Sequence, residues 1–327
     1  MTILAGEHVA ITGTGYSLPP TVRPNEDPIF AYLNANQPTG IDLFKGYKYR
    51  RVLAPGESLE ELMKKASFLA LENAGVQPGD IDVITGYVSV SDFIEPNGLA
   101  AIHHQMGLPA HCIVLPINDE YTNSLSGLMI ADALIKAGKA RNALVVVGCN
   151  WTQYSNYTKP QAISSSDGAG AMVVSATTNK TRFALVDYEI SVQQEGYGGM
   201  RMAPYPAGPF YTKAWCDIDD DGVMMFKNFA MTTPPAVVNT LLKRNGITGA
   251  DITLVPYQAS TVLLDPWQQA IKAAQTIISI EELANMTLAT ISVNFARQYE
   301  SIKKDWVCMI GVGTQFQAIG VLLRRNA

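Results

Sequence analysis

Cysteine and histidine are scarce in this sequence, with four residues of each. The four cysteines of the 327-residue chain are widely spaced, without a CxxC pair and without a histidine at zinc-ligand spacing. Structural zinc sites need such clusters, and small disulfide-stabilised domains carry a much higher density of cysteine. The sequence therefore predicts no metal site, and free thiols in a cytoplasmic protein.

Long apolar runs and blocks of like charge are missing as well. Apolar stretches such as ALVVVG and WVCMIGVG have the length of strands, far below the roughly 20 residues of a membrane-spanning helix. The net charge is −5 and no basic run occurs, which disfavours nucleic acid and anionic membranes as partners. The opening residues MTILAGEHVAITGTG lack the basic and apolar regions of a signal peptide.

What is present is an alternation of short β-branched runs with helical patterns, which is typical of an α/β fold with a largely buried sheet. Ser58 and Glu61 form a capping box that predicts a helix ending near Gly75. A second helix is predicted between Asn118 and Gly138, with apolar residues along one face.

The two parts of the sequence also resemble each other. A helix end leads into a strand at 74–87 and again at 245–258, and a buried strand ending in glycine precedes another strand at 142–174 and at 305–323. Two similar α/β halves, 1–175 and 176–327, would stack into a five-layered α-β-α-β-α sandwich. Chance similarity of strand ends is the alternative explanation.

Several motifs occur in the order found in β-ketoacyl-ACP synthase III, which the chain resembles over nearly its whole length. They are ITGTG with Leu18-Pro19, Ile117-Asn118, SDGAGA at 166–171, Asp221-Gly222 with Phe226-Lys227, VPYQA at 255–259, and GVG at 311–313. The resemblance implies the thiolase fold and an acyl thioester of coenzyme A or of an acyl carrier protein as substrate, without a further cofactor. It also implies a homodimer, or a heterodimer with a related condensing enzyme, formed through 112–115.

The catalytic positions depart from that family. Its nucleophile is a cysteine at a helix N-terminus, assisted by a histidine and an asparagine. Counting from Ile117-Asn118 puts Tyr121 at the cysteine position, and VPYQA puts Tyr257 at the histidine position. Asn294 best matches the asparagine. A tyrosine hydroxyl has an ordinary pKa of about 10 and would form an awkward phenyl ester, so we expect no cysteinyl-type acyl-enzyme.

Other nucleophiles and other roles for the tyrosines stay open at this stage. A shifted alignment would make Thr122 or Ser124 the nucleophile, and Cys149 would be a substitute thiol if it lay near the pocket. The two tyrosines would donate hydrogen bonds, act as acid and base, or merely fill an inactive pocket.

The backbone is what such substitutions leave intact. The resemblance implies an oxyanion hole built from the amide of the nucleophile residue, here Tyr121, and from a glycine-rich turn, here Gly311, Val312 and Gly313. Backbone amides do not depend on the side chain, so these groups would still polarise a thioester carbonyl.

The segment that matches the family's coenzyme A contact is also altered. Phe44 replaces the arginine and Gly40 the tryptophan of that contact. Lys45, Lys48 and Arg50 would meet a phosphate or a carrier protein, unless they form a solvated basic turn.

Two functions follow as hypotheses. The first is a divergent acyltransferase, condensing or cyclising enzyme of specialised metabolism that works on a thioester without a cysteinyl acyl-enzyme. The second is a non-catalytic subunit that pairs with an active, cysteine-bearing homologue. A module that only binds an acyl ligand ranks below both.

Overall fold

The computed structural model describes residues 3–325 except positions 39, 94, 120, 198–199, 208–209 and 219. Within the described part, no helix is long and apolar enough to cross a membrane. Burial along the strands is high, and the largest buried cluster extends from both sheets into the helices between them.

The helices and strands alternate along the chain. The first half contains β1 (His8–Ser17), β2 (Val22–Pro24), α1 (Ala31–Asn36), β3 (Tyr49–Arg51), α2 (Leu59–Ala74), β4 (Val83–Ser89), α3 (Leu99–Gln105), β5 (Ile113–Pro116), α4 (Asn123–Lys136), β6 (Asn142–Cys149) and β7 (Gly168–Thr177). The second contains β8 (Ala184–Val192), β9 (Met200–Ala207), β10 (Phe210–Ile218), α5 (Asp220–Arg244), β11 (Ile252–Pro256), α6 (Thr261–Ile271), β12 (Gln275–Thr276), α7 (Ile280–Leu283), α8 (Thr290–Gln298), β13 (Trp306–Gly313) and β14 (Gln317–Arg324).

Two five-stranded sheets with equivalent strand orders form the scaffold. One runs β1-β7-β6-β4-β5 and the other β8-β14-β13-β11-β12. In each, the last three strands of that order are parallel to one another, and the first two pair antiparallel. The weak sequence duplication is therefore a real repetition of topology.

Helices lie between the sheets and outside them. Both α4 and α8 contact strands of the two sheets, so they form the middle layer. Helices α2 and α3 cover the outer face of the first sheet, α5 covers the second, and α6 packs against α5. The predicted α/β thiolase-type sandwich of five layers is confirmed.

Close packing explains the glycines of the opening strand. A Cβ at Gly13 would lie 2.1 Å from the Ala70 carbonyl oxygen, and one at Gly15 would lie 2.2 Å from the Ala66 carbonyl oxygen. Helix α2 therefore lies directly on β1. Its predicted cap is present, since Ser58 Oγ accepts a 3.2 Å bond from the Glu61 amide.

Candidate functional site

The turn ahead of α4 is held by side-chain hydrogen bonds on both sides of Tyr121. Thr122 Oγ1 donates to the Asp119 carbonyl oxygen at 2.8 Å and to its carboxylate at 3.0 Å. Asn123 Nδ2 donates to the Ile117 carbonyl oxygen at 2.7 Å. Tyr121 itself has a φ of +78°, in the left-handed region that side chains rarely adopt. The turn thus holds a strained residue immediately before the helix, as is common at functional sites.

Asp119 is the acidic group of this turn. Its carboxylate accepts from Thr122 and Ser126. Burial raises the pKa of Asp119 above its ordinary value, against the opposing effect of those two hydroxyl donors. The carboxylate therefore organises the start of α4 rather than presenting a charge to the cavity.

Tyr121 and Tyr257 meet face to face. Their ring centroids are 5.5 Å apart and the planes differ by 10°. Tyr257 follows directly after β11, and its amide donates to the Ile310 carbonyl oxygen of β13 at 2.7 Å. Both side chains are buried. The structure thus brings together the two residues that the motif resemblance assigns to the cysteine and histidine positions.

A residue that the sequence did not single out, Asn285, completes this group. Its Nδ2 donates to the Tyr257 hydroxyl oxygen at 3.0 Å, and its Oδ1 accepts from the Thr287 amide at 2.9 Å. Two neighbours have left-handed φ values, +49° at Ala284 and +44° at Thr287. The strained segment between α7 and α8 therefore positions Asn285 against Tyr257.

The expectation that Asn294 joins the tyrosines needs correction. Asn294 lies in α8, where its Nδ2 donates to Gln258 Oε1 at 2.9 Å, and it does not line the cavity described below. Gln258 in turn donates to the Ala284 carbonyl oxygen at 2.7 Å. Asn294 therefore supports the segments that carry Tyr257 and Asn285. Asn285 lies nine positions earlier in the same stretch, and the motif comparison chose Asn294 without considering it.

The tyrosine pair lines a cavity of about 80 Å³. Because each water molecule needs roughly 10 to 15 Å³ of cavity volume, the cavity has room for about five to eight waters. The lining combines aromatic, polar and small residues, and no charged side chain is among its described members: Phe44, Tyr121, Trp151, Ser155, Asn156, Gln161, Ala162, Ser164, Ser165, Phe226, Tyr257, Ala259, Asn285 and Thr287.

The residues predicted to form a glycine-rich turn belong to the end of a strand. Gly311, Val312 and Gly313 are the last residues of β13 and pair with β14, and the turn follows them. A Cβ at Gly311 would lie 2.9 Å from Thr122 Cγ2. Gln317 Nε2 also donates to Thr122 Oγ1 at 3.2 Å. The strand end therefore lies against the start of α4, and the role of its amides in an oxyanion hole stays a prediction.

The basic segment that leads into β3 divides into buried and surface residues. Arg50 is 0% exposed, its Nε donates to the Ile163 carbonyl oxygen at 2.8 Å, and its guanidinium lies 4.7 Å from the centre of the Phe30 ring. Burial lowers the pKa of Arg50 to about 10. The expectation that Arg50 meets a carrier is therefore corrected, because the surrounding fold encloses it.

The remaining members of that segment differ from Arg50. Lys45 and Lys48 are exposed and form ion pairs with Asp42 at 3.1 Å and Glu281 at 3.0 Å. Phe44 lines the cavity beside the tyrosines. Their contact with a carrier stays a prediction.

The alternative nucleophiles lie away from the cavity lining. Ser124 is fully buried in the first turn of α4, and the Thr122 hydroxyl donates to Asp119. Cys149 Sγ donates to the Met286 carbonyl oxygen at 3.0 Å. In the described part of the chain, no group of three or more histidine, cysteine or acidic residues is arranged to hold a metal ion.

Comparison with known proteins points to one group of enzymes. The family model for 3-oxoacyl-[acyl-carrier-protein] synthase III matches residues 117–193. A β-ketoacyl-[acyl-carrier-protein] synthase III of Aliarcobacter butzleri is 26% identical over 311 residues, which cover 90% of this chain and 91% of that protein.

Solved structures agree on the fold. The 3-oxoacyl-[acyl-carrier-protein] synthase III of Aquifex aeolicus superposes with a TM-score of 0.82 at 21% identity, covering 97% of this chain and 99% of that one. The priming β-ketosynthase of the R1128 polyketide pathway superposes with a TM-score of 0.84 at 21% identity, covering 97% and 96%.

Proposed function

Because the chain is a β-ketoacyl synthase III-like protein of the thiolase superfamily, we propose that it is an enzyme that acts on acyl thioesters without a cysteinyl acyl-enzyme. The carrier thiol would be coenzyme A or an acyl carrier protein. One observation supports this most strongly: the 3.0 Å bond from Asn285 to Tyr257, in a cavity that Tyr121 also lines. A pocket that was merely filled would not need a polar pair held by a strained segment.

The proposed reaction is direct acyl transfer. The hydroxyl or amine of a bound acceptor attacks the carbonyl carbon of the thioester, the carbon–sulfur bond breaks, and the acceptor's proton passes to the departing thiolate. The products are an ester or amide and a free thiol, and no redox change occurs. If water enters as the acceptor, the same step is hydrolysis.

The side chains have distinct parts in this proposal. The Tyr257 hydroxyl oxygen accepts from Asn285, and the Tyr257 O–H would donate toward the carbonyl oxygen as negative charge develops there. The backbone amide of Tyr121, ahead of α4, would supply a second donor, with the end of β13 beside it. Tyr121 and Tyr257 would also carry the proton between acceptor and thiolate.

The cavity favours a neutral acyl group. Since none of its described lining residues is charged, a malonyl-type carboxylate would be desolvated without a cationic partner, which is costly. We therefore propose transfer without decarboxylation. A place in specialised metabolism and in the cytoplasm agrees with the altered catalytic positions and with the sequence composition, and the R1128 enzyme is a relative in fold from a polyketide pathway.

A panel of acyl-CoA and acyl-carrier thioesters tests the proposal. Free-thiol release and intact protein mass are recorded together, with and without alcohol and amine acceptors. We expect thiol release without a protein adduct, and its loss in Tyr257→Phe. An acyl adduct on any side chain would contradict direct transfer.

The stacked rings of Tyr121 and Tyr257 favour a second function if they block a substrate from entering the cavity. The chain would then be a non-catalytic subunit that binds a cysteine-bearing homologue. Strand β5 supports a paired state, because it is the edge of the first sheet and its Ile113 is 48% exposed. Absence of both thiol release and adduct, together with co-purification of such a homologue, would favour this function.

A further inference from the structure

A four-residue connection joins β11 to α6, and Tyr257 is its first residue. The Gln258 side chain accepts from the Ser279 amide at 2.9 Å and donates to the Ala284 carbonyl oxygen at 2.7 Å, so it is bound at both ends of α7. The last two residues of the connection have partners in the first half of the chain instead. The position of Tyr257 therefore depends on contacts between the two halves.

A short segment that leads into β3 supplies those partners. The Lys45 amide donates to Ser260 Oγ at 3.0 Å, and the Lys45 carbonyl oxygen accepts from the Thr261 amide at 3.1 Å. The Tyr47 hydroxyl donates to the Ala259 carbonyl oxygen. Of these three hydrogen bonds, only the one from Tyr47 depends on a side chain of the segment, so a substitution can remove it alone.

The bond from Tyr47 to Ala259 is enclosed by the fold. The two residues are 6% and 8% exposed, and burial raises the pKa of Tyr47, so its hydroxyl remains a donor at neutral pH. A buried carbonyl without a partner is costly. Ala259 lines the cavity, which has room for water, whereas Tyr47 is not among the lining residues. Without the hydroxyl, the Ala259 carbonyl would turn toward that water and rotate a peptide group two residues from Tyr257.

We propose that Tyr47 is a positioning residue for acyl transfer. Its hydroxyl holds the Ala259 carbonyl and thereby keeps the Tyr257 ring stacked on Tyr121, with the Tyr257 hydroxyl in its place at the reaction centre. The effect on turnover rests on the proposed function. The effect on the position of Tyr257 does not, because it can be measured in the protein without a substrate.

Fluorine NMR tests the position of Tyr257 directly. The protein is labelled with 3-fluorotyrosine, and the Tyr257 signal is the one that disappears in Tyr257→Phe. Because the centres of the Tyr121 and Tyr257 rings are 5.5 Å apart, the ring current of Tyr121 makes this signal sensitive to displacement. Tyr47→Phe removes the hydroxyl and keeps the ring. We expect it to shift the Tyr257 signal by more than the width of the line.

Tyr157→Phe is the matched control. The Tyr157 hydroxyl also donates to a backbone carbonyl, that of Thr152, at 2.9 Å, and burial also raises the pKa of Tyr157. Tyr157 does not line the cavity, and Thr152 lies outside the connection that carries Tyr257. Tyr157→Phe should therefore lower the melting temperature, as Tyr47→Phe does, while the Tyr257 signal keeps its wild-type position.

The kinetics of thiol release distinguish positioning from substrate binding. With the thioester that wild-type protein cleaves fastest, we expect Tyr47→Phe to lower kcat by about 10- to 100-fold, the effect of a small misplacement of a reacting group. KM should stay close to the wild-type value, because Tyr47 does not line the cavity. Tyr157→Phe should retain the wild-type kcat.

The two measurements separate this inference from the proposed function. An unchanged Tyr257 signal in Tyr47→Phe, or an equal shift in Tyr157→Phe, would overturn the positioning role. A shifted signal with an unchanged kcat would overturn it as well. Absence of thiol release from every thioester in wild-type protein would overturn the proposed function, and the NMR comparison would still decide whether Tyr47 holds Tyr257 in place.

Discussion

The side-chain amide of Asn285 donates a 3.0 Å hydrogen bond to the hydroxyl oxygen of Tyr257, although the residues are 28 positions apart in the sequence. Tyr257 comes from the end of β11, and Asn285 from the strained segment ahead of α8. A polar pair assembled from two separate elements, inside a cavity, is an arrangement suited to holding a substrate oxygen.

Removing the Asn285 side chain should impair turnover more than folding. In Asn285→Ala, Tyr257 loses the donor that orients its hydroxyl, and we expect thiol release to fall by about 10²-fold, as for other lost donors at acyl-transfer sites. Asn294→Ala is the control. It loses the bond to Gln258 outside the cavity, so its main effect should be a lower melting temperature. Equal losses of turnover in both variants would contradict the assignment of Asn285.

A cysteine placed at residue 121 should become acylated. Tyr121→Cys puts a thiol ahead of α4, where the helix N-terminus lowers its pKa and favours the thiolate. Incubation with butanoyl-CoA should add one acyl group to the intact mass. Ser124→Cys supplies the comparison, because Ser124 is fully buried outside the cavity. Failure of Tyr121→Cys to react would mean that residue 121 does not face the thioester carbonyl.

Arg50 should matter for stability rather than for carrier binding. Arg50→Ala leaves a cavity beside Phe30 and an unpaired carbonyl at Ile163, so we expect the free energy of unfolding to fall by about 2 to 4 kcal/mol. Lys48→Ala breaks only an exposed ion pair with Glu281 and should cost under about 1 kcal/mol. Urea denaturation measures both. A stable Arg50→Ala protein with weakened carrier binding would restore the surface role.

Asp167 should make stability depend on pH. Burial raises the pKa of Asp167 from 3.8 to about 6, against three hydrogen bonds donated by Leu53 and Thr152. A raised pKa favours folding while the group is protonated, so this contribution is complete below about pH 4 and is lost as the pH rises to about 6. From about 1.4 kcal/mol per pKa unit, the loss is roughly 3 kcal/mol.

The comparison that isolates this effect uses Asp167→Asn, which cannot ionise. Its free energy of unfolding relative to wild type should improve between pH 4 and pH 6, measured by urea denaturation at each pH. A difference that stays constant over that range would contradict a raised pKa at Asp167.

The sequence alone determined the architecture because it rests on local signals repeated along the chain. Ser58 and Gly75 mark the ends of α2, buried β-branched runs mark the sheets, and the repeated helix-to-strand pattern indicates two halves. The motif resemblance also located Tyr121, three residues after Asn118, and Tyr257, inside VPYQA.

Only the tertiary structure decided which other residues accompany the tyrosines. The motif resemblance favoured Asn294, but the folded chain places Asn285 against Tyr257. That placement depends on backbone φ values at Ala284 and Thr287 that no local pattern encodes. Arg50 looks like a surface cation in the sequence but is enclosed by Phe30 and the segment around Ile163. Contacts between residues far apart in the chain determine burial and hydrogen-bond partners, so these assignments required the folded chain.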